Sequence, residues 1–321
     1  MELPARLRQA VDQMLEGIPL PELQRAAELL SRRYRSETRD GRLHVADALA
    51  ASAYLAARLP ATYAAVRKAM GDVAELQSGE PRTLLDVGAG PGTALWAALE
   101  EWPQIETAVL VEASNAMRQT GERLARDIGP VRLSWRGMAV EDGLPGIEPA
   151  DLVTLCYVLD ELEPAAAEAL VGRLWTLAAR TLLIVEPGTP AGWRRILKAR
   201  QQLIEAGACV VAPCAHHHAC PVAAPDWCHF SRRVARSRLH RLAKGGEVPW
   251  EDEKFIYLAA SRIPAGARAS RVLAPPKAAS GMVRLKLCRT DGSVEERLVT
   301  RREGAAFKAA KRLEWGDLLE E

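Results

Sequence analysis

Apolar residues recur at three- and four-residue intervals through the first quarter of the chain. In "LPARLRQAVDQMLEGI", "LPELQRAAELLSRRY" and "HVADALASAYLAARLPATYAAVRKAM" this spacing, dominated by Leu and Ala, predicts helices across residues 1–79. Pro60 either kinks the last of them or starts a new one. The expected role of the region is a helical cap packed on the next domain. From Arg82 the period changes. "TLLDVG", "TAVLVEAS", "VRLSWRG", "DLVTLCYVL" and "TLLIVEPG" are short apolar runs that predict strands. The helical "GTALWAALEEW", "NAMRQTGERLARDI" and "EPAAAEALVGRLWTLA" separate most of them. Such alternation predicts an α/β fold, a parallel sheet with helices on both faces. Right-handed crossovers then put the loops at the strands' carboxyl ends on one edge, where ligands bind.

Beyond Gly188 the alternation stops. "GWRRILKARQQLIEAG" predicts a helix with a basic face, and "KFIYLAASR" a strand. "VRLKLCRTDGSVEERLVTR" reads as a hairpin turning at Asp291-Gly292, a dipeptide that tolerates positive φ. The intervening "IPAGARASRVLAPPKAASG" reads as a loop. Four segments result: a helical region over 1–79, a nucleotide-binding core over 80–190, a basic helix with a Cys/His insertion over 191–252, and further strands, the hairpin and a basic tail over 253–321.

Composition changes this picture little. With 321 residues, 48% hydrophobic and 26% charged, the chain is ordinary globular protein, and a net charge of +2 does not select a partner. No apolar stretch reaches the roughly 18 residues needed to cross a bilayer. "MELPARLRQAVDQMLEGI" carries acids in an amphipathic pattern, unlike a secretory or transit peptide, so a cytoplasmic location is expected.

The first candidate site is "DVGAGPG", Asp86 to Gly92, where a strand ends and a helix begins. Glycines at 88, 90 and 92 remove Cβ atoms, so a ligand can lie against the backbone. The spacing differs from the dinucleotide fingerprint, and the lysine of a P-loop is missing. An acid before alternating glycines is the pattern of class I S-adenosylmethionine-dependent methyltransferases. Glu112, 22 residues after Gly90, falls where such folds bind both ribose hydroxyls. Asp86, Gly88, Gly90, Gly92 and Glu112 are therefore the candidate cofactor residues. Methyl-transfer chemistry is less legible. "DLVTLCYVLDEL" lacks the Asn/Asp-Pro-Pro-aromatic motif of amino-group methylases, Cys156 reads as a buried core thiol, and Asp160 and Glu161 are the carboxylates nearest the expected pocket mouth.

The second site is "CAHHHACPVAAPDWCHF". Three cysteines and four histidines fall within the sixteen residues from Cys214 to His229. No C-x2-C pair of a zinc knuckle occurs, nor ferredoxin spacing, nor the C-x3-C-x2-C of radical enzymes. Wide, proline-bearing loops between Cys214, Cys220 and Cys228 suit a larger, soft centre such as an iron–sulfur cluster, with zinc the alternative. A fourth ligand is then required. Cys288, in the predicted hairpin, is favoured because it would tie the loop to a sheet; Cys209, His216, His217, His218 and His229 compete.

"LLDVGAGPGTALWAA", "VEPGTPAGW", "APCAHHHACPVAAPDWCHF" and "RREGAAFKAAKRLEWGD" together resemble the methyltransferase-like family of small-ribosomal-subunit assembly factors, in a bacterial form. The resemblance spans most of residues 40–321. It implies a class I methyltransferase fold, S-adenosylmethionine binding, and a [4Fe–4S] cluster on Cys214, Cys220, Cys228 and Cys288. It also implies a partner, the small ribosomal subunit and its rRNA, and leaves an active rRNA methyltransferase as the alternative. Ala215 departs from the proline expected after the first ligand, which bears on loop stiffness.

Charge then acquires a use. Arg232, Arg233, Arg236, Arg238, Arg241 and Lys244 lie in a stretch without an acid, with Phe230, Val234 and Leu239 interleaved at near-helical spacing. Residues 284–312 add nine basic side chains against four acidic. Runs of this kind supply the phosphate-tracking surface of RNA-binding proteins.

Overall fold

Asp47 ends an extended stretch and accepts a hydrogen bond from the Ala50 N–H at 2.8 Å, and this cap starts the third of four leading helices. In the computed structural model, which describes residues 1–38, 40, 43–77, 79–266 and 269–320, these are α1 (Ala5–Leu15), α2 (Leu20–Arg35), α3 (Ala48–Ala57) and α4 (Leu59–Leu76). Pro60 sits in the first turn of α4, so it begins a helix rather than kinking one. The region packs on the sheet. Leu7, Leu23, Leu59, Tyr63 and Met70 belong to the same apolar core as the strands of the sheet.

That core is built on an eight-stranded sheet: β1 (Thr83–Val87), β2 (Thr107–Val111), β3 (Arg132–Arg136), β4 (Ala150–Cys156), β5 (Ala178–Pro187), β6 (Cys209–Ala212), β7 (Phe230–Ala235) and β8 (Trp250–Ser261). The order is β3-β2-β1-β4-β5-β8-β6, with β7 also paired to β8. Strands β1 to β5 pair in parallel, while β8 runs antiparallel to both β5 and β6. A parallel sheet closed by one antiparallel strand near its edge, in this order, is the topology of the Rossmann-like methyltransferase fold. The interior strands are apolar on both faces because helices cover both, and Leu182 to Val185 are all fully buried. The covering helices are α5 (Thr93–Glu101), α6 (Asn115–Leu124), α7 (Pro164–Leu177) and α8 (Pro190–Glu205), with α4 lying across β6, β7 and β8.

The carboxyl-terminal third departs from expectation. Helix α8 and β6 belong to the main sheet, so the insertion is confined to the stretch between β6 and β8. The basic run after Cys228 is not one helix. Phe230 and Val234 share the buried face of β7, and only then does α9 (Arg238–Ala243) begin. The segment read as a loop holds two three-residue strands, β9 (Ser270–Val272) and β10 (Lys277–Ala279). With β11 (Met282–Cys288), β12 (Val294–Thr300) and β13 (Leu318–Leu319) they form a second sheet, ordered β10-β11-β9-β13 with β12 against β11. Strands β11 and β12 pair antiparallel, and α10 (Ala305–Ala310) helps to close a small core of Val272, Val283, Leu285, Leu287, Val299 and Ala310. Among the described residues no helix is long and apolar enough to cross a membrane.

Candidate functional site

The carboxyl ends of β1, β2, β4 and β5 open onto a cleft of about 1440 Å³, roofed by residues of α2, α3 and the turn into α4. Gly88, Gly90 and Glu112 line it; Asp86 and Gly92 are off its wall and support it from the interior. The glycines do different work. Gly88 has φ +66°, and a Cβ there would stand 2.4 Å from Val158 Cγ2, so this glycine lets the β4 loop close on β1. Gly90 has φ +54° and nothing within 4 Å of where its Cβ would be, so its missing side chain leaves open room on the cleft wall.

Glu112 ties the loop together. One carboxylate oxygen accepts the Gly90 N–H at 2.8 Å, and the other accepts the Ser114 N–H at 2.7 Å. Burial raises its pKa, against those hydrogen bonds. Behind it, Asp86 accepts a hydrogen bond from Thr154 Oγ1 at 2.7 Å through one oxygen, while the other has no partner. Burial pushes Asp86 up to about 7, Glu112 adding to the shift and Thr154 opposing it.

Across the cleft lies a group of carboxylates only partly visible in sequence. Glu161 is pushed up to about 8 by burial and then by Asp160. His44 stands 3.8 Å from it. Glu186, at the end of β5, was missed. It is fully buried, accepts the Leu159 N–H at 3.1 Å and is paired with Arg195 at 2.7 Å. Burial and Asp160 carry it to about 8 although Arg195 opposes the shift. The readable signal was an acid closing an otherwise apolar strand, "LLIVE". Tyr157 also lines the cleft. Its φ of +58° is a conformation that a bulky L-residue adopts at a cost, and its hydroxyl donates to Glu253 at 3.0 Å. Cys156 is a protonated thiol, its pKa driven well above the ordinary value by burial, Asp86 and Glu186.

The cysteines converge from two distant parts of the chain. Cys214, Cys220 and Cys228 come from the insertion and Cys288 from the end of β11, and they share one electrostatic neighbourhood. Burial raises Cys228 well above its ordinary value, and so do Cys214, Cys220 and Cys288. Burial pushes Cys288 to about 12, with Cys214 and Cys220 next. His216 is buried, with Nε2 3.4 Å from Cys288 Sγ. His217 accepts the Val210 N–H, and His229 stacks on Trp227 at 5.0 Å between ring centres. Cys209 lies in β6. All six cysteines are free of disulfides. Among the described residues no three His, Cys, Asp or Glu side chains come close enough to hold a single metal ion.

The basic run is more engaged than its sequence suggests. Arg236 pairs with Glu251 at 2.7 Å, and Lys244 and His240 reach the same carboxylate. Glu251 is held well below the carboxylate range by these partners, despite burial. Arg233 pairs with Asp252 at 2.9 Å and Arg232 with Glu314 at 3.6 Å. Arg241 is half-buried. Among the described residues Arg238 is exposed without an ion pair, and so are Arg301, Arg302, Lys308, Lys311 and Arg312 around α10.

A family model described as mitochondrial small ribosomal subunit Rsm22 matches residues 48–320. The human mitochondrial ribosome assembly protein METTL17 is 30% identical over 288 residues, which covers 83% of this chain and 61% of that protein. An Rsm22-cox11 tandem protein of Schizosaccharomyces pombe is 23% identical over 319 residues, 83% of this chain and 42% of the relative. The chain thus spans about three fifths or less of the length of these curated relatives. Among solved structures, an O-methyltransferase family protein of Burkholderia thailandensis aligns with a TM-score of 0.44 at 18% identity, covering 78% of this chain and 72% of the other. Magnesium protoporphyrin IX methyltransferase of Synechocystis with bound S-adenosylmethionine gives 0.42 at 14% identity, covering 73% and 91%.

Proposed function

This chain belongs to the mitochondrial small ribosomal subunit Rsm22 family, and from that premise we propose that it is an assembly factor of the small ribosomal subunit. It binds S-adenosylmethionine in the cleft, holds a [4Fe–4S] cluster on Cys214, Cys220, Cys228 and Cys288, and docks on rRNA through basic side chains.

The cleft suits the nucleoside. Gly90 leaves room for it against the backbone, and each Glu112 oxygen accepts one protein N–H, keeping a second lone pair for a ribose hydroxyl. The bound cofactor supplies a methyl group on a sulfonium centre. The cleft also has space beyond one ligand, since pockets usually measure roughly 300–1,000 Å³. Tyr157, Glu161 and His44 border it, which supports the second reading, an active rRNA methyltransferase.

The cysteine neighbourhood carries the main reading. Soft, all-thiolate ligation on wide, proline-bearing loops favours an iron–sulfur centre, with zinc the alternative. A bound cluster supplies metal–thiolate bonds that join the insertion to the second sheet. RNA contact is proposed at Arg238 of the run from Arg232 to Lys244, in which Arg232, Arg233, Arg236 and Lys244 are already paired with acids. The unpaired cations at 301–312 extend this surface.

Anaerobic purification tests the proposal. The wild-type chain should be brown, with iron and sulfide in equal amounts, and Cys288→Ser should lose both. Labelled S-adenosylmethionine should bind the wild type and not Glu112→Ala, and the wild type should co-sediment with small subunits. A folded wild-type chain that contains only zinc, or no metal, overturns the cluster. Transfer of label to rRNA would establish the second reading.

A further inference from the structure

Arg58 stands at the junction of α3 and α4. Its N–H donates to Tyr54 O at 2.9 Å, and its own carbonyl accepts the Ala61 and Thr62 N–H groups at 3.0 Å each. Ala57 and Leu59 on either side are fully buried, so the backbone is pinned in the core. The Arg58 side chain lines the cleft. Its guanidinium lies over the Tyr34 ring, 5.5 Å from the centroid, and the His44 ring stands 4.8 Å from that of Tyr34. Among the described residues neither the guanidinium nor the Tyr34 hydroxyl has a hydrogen-bond or ion-pair partner. Glu253 lines the same cleft without pairing with Arg58, and it accepts the Tyr157 hydroxyl instead. A fixed fork of N–H donors thus borders the cleft with no acceptor of its own.

The chemistry of the wall narrows what can fill it. A guanidinium matches the paired oxygens of a carboxylate or a phosphate. Glu37, Glu161 and Glu253 share the cleft with Arg58. A nucleic-acid backbone brings only negative charge, and those acids oppose its entry. An amino-acid group brings one carboxylate and one ammonium, so it answers the cation and the acids together. S-adenosylmethionine ends in such a group, at the opposite end from its ribose.

We infer that Arg58 is the seat of the cofactor's α-carboxylate, with the Tyr34 hydroxyl beside it as a further donor. The inference rests on the reading of this cleft as the S-adenosylmethionine site and adds a residue to it from outside the sheet. Gly90 and Glu112 serve the nucleoside, while the helical roof serves the amino acid. The bound ligand therefore bridges the α3–α4 junction to the sheet, and a nucleoside without a carboxylate loses that bridge.

Equilibrium dialysis of the full chain against two ligands tests this. Decarboxylated S-adenosylmethionine keeps the adenosine, the sulfonium and the amine and lacks only the carboxylate. The wild type should prefer S-adenosylmethionine by about 10- to 100-fold, the size of a charge-assisted hydrogen-bonded pair. Arg58→Met should weaken S-adenosylmethionine by that factor. It should leave the decarboxylated ligand unchanged or tighter, because a cation is removed from beside a doubly cationic ligand. Arg58→Lys keeps the charge without the fork and should recover part of the preference. Glu112→Ala acts at the nucleoside and should weaken both ligands alike. Equal weakening of both ligands by Arg58→Met would show a roof support and overturn the inference. A wild type that binds both ligands equally would overturn it too, and that comparison stands even if Arg58→Met does not fold. An Arg58→Met chain that keeps the wild-type preference but binds small-subunit rRNA fragments more weakly would identify the anion as phosphate, with the same consequence. A folded wild type that binds neither ligand removes the cofactor reading, and this inference goes with it.

Discussion

Asp86 has one oxygen satisfied by Thr154 and one with no partner, in a position almost closed to water. Its pKa near 7, against an ordinary 3.8, means that the folded chain keeps a proton that the unfolded chain has already released. Between about pH 4 and 7 the unfolded state binds fewer protons, so the Asp86 share of folding stability declines as pH rises through that window. Asp86→Asn holds the neutral form permanently. Denaturant unfolding of the ligand-free chain from about pH 4.5 to 8 should show the variant gaining on the wild type as pH increases, by up to a few kcal/mol. A constant offset across pH would show that Asp86 is already ionised in the folded state throughout this range. The residue itself was legible in sequence, as the acid before alternating glycines. Its protonation was not, because burial depends on β4 and on Glu112, which approach from elsewhere in the chain. The glycines divide in the same way. Spacing picked out all three, but only the approach of Val158 separates Gly88, required by packing, from Gly90, which borders space.

At the scale of elements, the parallel strands were readable because both faces are buried and the apolar runs are unbroken. Strands β6, β9, β10 and β13 have two to four residues each, too few for a period to register. Ser270, Arg271 and Val272 are all buried, yet two of the three are polar, so the hydrophobic pattern concealed β9. Cysteine density, by contrast, marked the insertion plainly, and its proposed ligand partner in β11 came from the need for a fourth sulfur rather than from pattern. Helix α6 shows how a short element is coupled to the cleft. Ser114 Oγ accepts the Met117 N–H at 3.2 Å, the usual N-cap, and donates to Val45 O at 2.6 Å. The same hydroxyl thus closes α6 and anchors the stretch before α3, beside the carboxylate of Glu112. Ser114→Ala should cost about 1–2 kcal/mol, the cap plus a buried carbonyl left unpaired. Equilibrium unfolding measures this, and S-adenosylmethionine binding should weaken in parallel because the Glu112 contact loses its support. Ser114→Thr should retain most of both.

For the whole molecule, the second sheet and the insertion together carry many of the cations, and their pairing decides which of them can bind phosphate. Arg236 and Lys244 are committed to Glu251, and Arg233 to Asp252. Releasing a pair already formed to make a phosphate contact exchanges one ion pair for another with little gain. Among the described residues Arg238, Arg301, Arg302, Lys308, Lys311 and Arg312 have no such competitor. Sequence reading located the charge, but the acids that neutralise much of it lie in β8, up to about twenty residues downstream. Nitrocellulose-filter binding to small-subunit rRNA fragments at several salt concentrations tests the difference. Each phosphate contact contributes roughly 0.7 to 0.9 to the slope of log affinity against log salt. Replacing Arg301, Arg302 and Lys308 by glutamate should lower affinity by at least about tenfold and reduce the slope by about two to three. The pair Arg236→Gln and Lys244→Gln should leave the slope within about one unit of the wild type while lowering stability, since Glu251 stays buried with only His240 beside it. Equal effects of the two sets on the slope would mean that the Glu251 cluster opens on the RNA, and the docking surface would then centre on β7 and α9 instead.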